Sequence, residues 1–146
     1  PPPDARRLAW FEDAYRVTLP PDYLQFLQAS NGGVPVQNTF SLQGREYVIE
    51  SFLPILQKPS TDVENGWRDV TVVISQLDAR IVTDEDLVGM DVIPIAALFA
   101  GDFLCLDYRE FEEPTVSVWD HEQSDDFSPH LTEVAESFTA FLALCR

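Results

Sequence analysis

The chain has 146 residues, of which 45% are hydrophobic and 12% aromatic, enough for one ordinary domain with a real core. Its 25 acidic and 9 basic side chains give a formal net charge of −16, which repels phosphate backbones and anionic lipid and so argues against nucleic acid or membrane as a partner. The imbalance is uneven: residues 1–83 carry a net −3 and residues 84–146 a net −13, with Arg109 and Arg146 the only basic groups in the second part.

A proline leader, Pro1-Pro2-Pro3, opens the chain. No basic n-region followed by an apolar stretch stands there, and no apolar run approaches the ~18 residues of a membrane span. The expected compartment is cytoplasm. Leu8, Phe11 and Tyr15 then recur at i, i+3 and i+7, the stripe of an amphipathic helix, with Trp10 read as a further core residue. Leu19-Pro20-Pro21 stops it and starts a second helix, with proline in the first turn and Tyr23, Phe26 and Leu27 on the buried face. Asn31-Gly32-Gly33 reads as its C-cap.

The period then changes. Phe40–Leu42 and Glu46–Ile49 read as short strands about a Gln43-Gly44 turn. Phe52–Leu56 is expected to be a turn or short helix, and Lys58–Trp67 a loop. Val70–Ile74, β-branched throughout, is expected to be a strand, although a buried helix of this length gives a similar pattern. Thr83–Asp86 can cap one helical turn. Strands follow at Asp91–Ile95, Phe103–Asp107 and Thr115–Trp119, the last two spaced as an antiparallel hairpin. Ser128-Pro129 supplies an N-cap and first-turn proline. Beyond it Leu131, Val134, Ala135, Phe138, Phe141 and Leu142 fall at helical spacing, predicting one C-terminal helix. Helices at the ends with strands between them make an α+β single domain over residues 1–146. Its sheet is central and mainly antiparallel, flanked by N-terminal helices and a C-terminal helix.

The residues offer little chemistry. There is no glycine-rich phosphate loop at a helix start, no nucleophile elbow and no CxxC, so no catalytic residue, cofactor or metal is expected. Cys105 and Cys145 sit in apolar runs and read as small buried hydrophobes. Asp120, His121, Glu122 and His130 could offer nitrogen and oxygen ligands, or His121 could shuttle protons among carboxylates. Neighbours at a strand end point different ways, however, and no nucleophile has an activating context. The plain readings are a solvated loop between the last strand and the last helix, and Asp102 and Asp107 as strand-end carboxylates that cap turns; the functional alternative is a surface. Asp102 and Asp107 bracket one strand, and with Trp119, Asp120, His121, Glu122, Asp125 and Asp126 they are expected to form an acidic rim around an aromatic anchor.

Three segments together resemble the SUKH superfamily, the Smi and Knr cell-wall regulators and their bacterial relatives. The first is Leu19-Pro20-Pro21-Asp22-Tyr23 running to Asn31-Gly32-Gly33. The second is Ile93-Pro94-Ile95-Ala96 with Gly101-Asp102-Phe103-Leu104-Cys105-Leu106-Asp107 and Val116-Ser117-Val118-Trp119-Asp120-His121-Glu122. The third is the apolar ending Phe138–Leu142. The sequence departs from the resemblance at Ala96–Ala100, where many relatives are polar and glycine-rich. The resemblance implies the same α+β fold, and a non-enzymatic immunity protein that binds and neutralises a cognate bacterial toxin. The toxin is expected to be a basic protein, often a nuclease. An intracellular regulator or scaffold of the Smi and Knr type is the alternative, and an enzyme or metal protein using His121 the more distant one.

Overall fold

The structure, a computed structural model, describes residues 1–146. The first helix, α1 (Ala5–Tyr15), begins at Asp4, whose carboxylate accepts from the Arg7 amide at 2.8 Å, an N-cap that satisfies one of the free amides of the first turn. Phe11 is buried, with Leu8 and Tyr15 packed beside it. The second helix, α2 (Pro21–Ala29), has proline in its first turn and buries Tyr23 and Leu27. The C-cap of that helix is Ser30, in an extended conformation, and not the Asn31-Gly32-Gly33 segment, which shapes the loop beyond it. Both glycines sit at φ 95°, which frees the Asn31 side chain to pair with the Ile55 backbone, accepting from its amide and donating to its carbonyl at 2.9 Å each.

Residues 39–135 supply a six-stranded sheet in sequential order, every neighbour antiparallel. Its strands are β1 (Thr39–Leu42), β2 (Arg45–Phe52), β3 (Val92–Leu98), β4 (Phe103–Asp107), β5 (Thr115–Trp119) and β6 (Leu131–Ala135). The β1–β2 turn places Gln43 and Gly44 at φ 51° and 80°, the primed two-residue turn whose twist suits a hairpin. The expected β4–β5 hairpin is present, with Phe103 opposite Trp119 and Asp107 opposite Thr115. Leu104, Leu106, Val116 and Val118 join Ile93 and Ile95 in the main core under the helices. On the other face Cys105 and Trp119 form a second small cluster with Ile81 and Val92. This is the period-2 alternation of strands covered on both sides. The two cysteines are free and unpaired.

The structure corrects the sequence reading in several places. Val70–Ile74 is not a strand; it opens α3 (Val70–Leu77), capped by the Asp69 carboxylate accepting from the Thr71 amide at 2.7 Å. Val70, Val73, Ile74 and Leu77 stand at i, i+3, i+4 and i+7, so the stripe becomes visible once the window extends past Ile74. The single helix expected from Leu131 to Leu142 is two elements, β6 and α4 (Phe138–Leu144). The true helix cap is Ser137, whose hydroxyl accepts from the Ala140 amide, while β5 recruits Leu131–Ala135 as a sixth strand. Strand pairing outweighs local periodicity here. Phe52 ends β2 and Leu53–Leu56 form neither helix nor strand, with the Leu53 amide donating to the Ile95 carbonyl at 2.8 Å, and 3-10 turns occupy Pro59–Thr61 and Gly66–Arg68. Thr83–Asp86 forms a turn and no helix. Trp10 is 49% exposed, with the Arg7 guanidinium 4.4 Å above its ring. Ala96–Leu98 completes β3 before a tight turn at Phe99–Gly101.

The aromatic residues of α4 close the domain. Phe138 meets Tyr23 edge-on at 5.3 Å and Phe141 meets Phe40 at 5.1 Å, each such pair contributing about 0.5–1.5 kcal/mol beyond its burial. No helix is long and apolar enough to cross a membrane.

Candidate functional site

At one pole of the sheet, where β4 begins and β5 ends, a tight turn and a hairpin loop bring together Asp102, Trp119, Asp120 and His121. Asp102 is buried, and one of its carboxylate oxygens accepts from both the His121 backbone amide at 3.0 Å and the imidazole Nδ1 at 2.6 Å. The other oxygen lies 4.0 Å from the Arg45 guanidinium, which reaches over from β2. Gly101 makes room for the ring: it sits at φ 91°, and a Cβ there would stand 3.4 Å from His121 Nδ1. His121 Nε2 points outward, with Glu122 Oε1 at 3.9 Å.

Trp119 is not the exposed anchor that the sequence suggested. It is fully buried, its indole N–H donates to the Arg80 carbonyl at 3.0 Å, and the Arg80 guanidinium stands 5.2 Å over its ring. The Arg80 guanidinium also donates to the His121 carbonyl. Asp120 organises the loop that follows: it accepts from the amides of Glu122 at 2.9 Å and Gln123 at 3.1 Å and from the Gln123 side chain at 3.0 Å. Partial burial works to raise the Asp120 carboxyl, but these donors, aided by His130, hold it below the usual carboxylate value. Ser124 closes the loop by donating to the Asp120 carbonyl at 2.6 Å and accepting from the His130 amide at 2.8 Å.

The expected rim does not form as one surface. Asp107 lies at the opposite end of β4, opposite Thr115. There it is buried and held by Arg109, which donates to it from Nε and Nη2 at 2.9 Å each. Asp102 is buried as well, so neither carboxylate is available to a partner. Glu122, Asp125 and Asp126 are exposed on the β5–β6 loop. Sequence reasoning passed over Arg80, Arg45 and Ser124, and named Gly101 without giving it a role. For Gly101 a signal existed, since a glycine before a buried carboxylate marks a close approach.

An imidazole oriented by a carboxylate through Nδ1 is the arrangement used to present Nε2 as a base or a ligand. Asp102, Asp120 and His121 can each bring a ligand atom within 4.8 Å of the others; both Asp120 oxygens, one Asp102 oxygen and His121 Nδ1 are engaged within the protein, while His121 Nε2 has no hydrogen-bond partner. The nearby Ser124 hydroxyl is already engaged, and burial, with Asp107 adding to it, pushes the Cys105 thiol well up. The pole is built as a latch: Asp102 joins the start of β4 to the loop leaving β5.

The model of one family, described as SMI1 / KNR4 family (SUKH-1), matches residues 2–144. The chain belongs to this family. No curated protein and no solved structure matches it. Within this SUKH-1 chain, the residues Gly101-Asp102 and Trp119-Asp120-His121, far apart in sequence, are explained by one latch.

Proposed function

We propose that this SUKH-1 chain is an immunity-type protein that binds a cognate protein toxin and covers its working surface, making and breaking no bond. Family membership supports the reading, because bacterial SUKH proteins are widely regarded as toxin-neutralising. The observation that carries it is the uncompensated charge. Asp102 and Asp107 are the acidic residues with a guanidinium within 4.0 Å, and Glu122 has only the His121 imidazole at 3.9 Å; none of the other carboxylates has a basic partner within 4.0 Å. A toxin that acts on nucleic acid holds phosphates with lysine and arginine, so a domain of −16 complements it and accelerates encounter.

Co-expression with the product of the adjacent toxin reading frame tests this. A stable complex and rescue of growth are expected, with an association rate that falls about tenfold or more as salt rises toward 0.15 M, where the Debye length is about 8 Å. A rate indifferent to salt removes the electrostatic argument. A toxin that neither binds nor is silenced removes the immunity role, and a partner encoded elsewhere moves the assignment to a regulator or scaffold.

A further inference from the structure

The pole of the sheet away from the latch carries a groove. One wall is the connection from α1 to α2, Arg16–Pro21, and the other is the turn from β4 to β5, Tyr108–Pro114, enclosing about 660 Å³. The Tyr108 hydroxyl donates to the Thr18 carbonyl at 2.9 Å and ties the walls together. A second hollow of about 280 Å³ continues it past the start of α4, sharing Pro20, Pro21, Glu113 and Pro114. Leu19 and three prolines form a stiff apolar floor, and Phe111 stands beside it, 59% exposed.

The charge around the groove is one-sided. Glu110, Glu112, Glu113 and Glu136 are exposed, and none of them has a basic partner. Arg109 is consumed by Asp107, which leaves Arg16 as the one lining cation without an acidic neighbour. We propose that this groove is the docking site for a basic, extended segment of a partner protein, with Phe111 as the apolar anchor and the four glutamates as countercharges. Arginine and lysine suit such a lining on two counts: their stems lie along proline and phenylalanine while their heads reach the carboxylates. The proline walls are preformed, so little ordering is needed on binding. A second copy of this chain does not fit, since it would bring 25 acidic side chains against 9 basic ones, a net −16, to an acidic groove.

This proposal rests on the reading that the chain works by binding a protein, and its test separates the two. The ¹⁵N-labelled chain is titrated with a blocked octapeptide alternating arginine and leucine, and with its glutamate counterpart. Shifts confined to residues 16–21, 108–114 and 136–138, with the arginine peptide only, are expected. The exposed triple variant Phe111→Ser, Glu112→Lys, Glu113→Lys should weaken binding about tenfold or more, at unchanged melting temperature. Glu122→Lys with Asp125→Lys, at the other pole, should change it by less than about twofold. Shifts spread over every acidic surface, or undiminished affinity in the triple variant, overturn the groove. The same variants are then set against the toxin encoded alongside. Equal binding by wild type and triple variant defeats the groove and leaves the immunity role standing. A groove that takes the peptide while the toxin fails to bind defeats the immunity role and leaves the groove.

Discussion

Replacing Asp102 with alanine tests whether the latch holds the fold. The carboxylate accepts two hydrogen bonds from His121, at 3.0 and 2.6 Å, and hydrogen bonds to a charged group each contribute about 1.5–3 kcal/mol. Two effects reduce the sum. The His121 side chain is 36% exposed, so water can replace the acceptor on its ring, and removing a buried carboxylate recovers part of its desolvation cost. A net loss of about 2–3 kcal/mol follows, which for a chain of this size lowers the melting temperature by roughly 5–10 °C. Asp102→Asn keeps the shape and one acceptor and should lose about half as much. Urea unfolding followed by tryptophan fluorescence is the assay, since Trp119 lies buried one strand away. His121→Ala should be at least as costly, because it leaves Asp102 buried with Arg45 no nearer than 4.0 Å. The double variant should show about 1–2 kcal/mol of coupling. Stability of Asp102→Ala within about 0.5 kcal/mol of wild type, or additive single losses, would show that the pair is not a latch.

Two further outcomes follow from other buried groups. Asp69 is fully buried and accepts from the Leu56 amide at 2.7 Å, the Thr71 amide at 2.7 Å and the Thr71 hydroxyl; Asp69→Ala should cost about 3–5 kcal/mol by removing the α3 cap and stranding the Leu56 amide, and a loss below about 1 kcal/mol in the same urea assay contradicts that role. Burial raises the Tyr23 and Tyr108 phenols far above 10, with smaller contributions from Tyr108 and Asp69 on the first and Glu12 on the second, and burial raises Tyr15 less. Because the folded state keeps these protons, their stabilisation is complete below about pH 10 and is lost as pH climbs above it, where the unfolded chain ionises first. A spectrophotometric titration should therefore show the Tyr23 and Tyr108 phenols keeping their protons until the chain unfolds; those two phenols ionising near pH 10 in the folded state contradict this.

Much of the fold was legible because local chemistry agreed with the tertiary outcome. The Leu8–Tyr15 stripe, the proline start of α2, the Gln43-Gly44 turn and the β4–β5 hairpin each depend on residues close in sequence. The failures differ in cause. Leu131–Ala135 can satisfy a helical period or pair with β5, and only the presence of β5 decides. Val70–Ile74 is too short a window to show its period, since the Asp69 cap and Leu77 on either side complete a helical pattern.

What the sequence determined unaided was the class of molecule: an α+β domain with a heavily acidic C-terminal part, and family residues sufficient to place it among SUKH proteins. Those properties are carried by composition, short-range pattern and residue identity. Which carboxylates face water and which are spent inside the fold was settled only by the tertiary structure. Asp102 and Asp107 look alike on the strand, yet one closes a latch with His121 and the other clasps Arg109 at the far end. Trp119 is buried by Arg80 and Ile81, 38 and more residues upstream, and the groove beside Phe111 exists because Tyr108 reaches back to Thr18. Burial and pairing over such separations are properties of the packed chain, and no local window contains them.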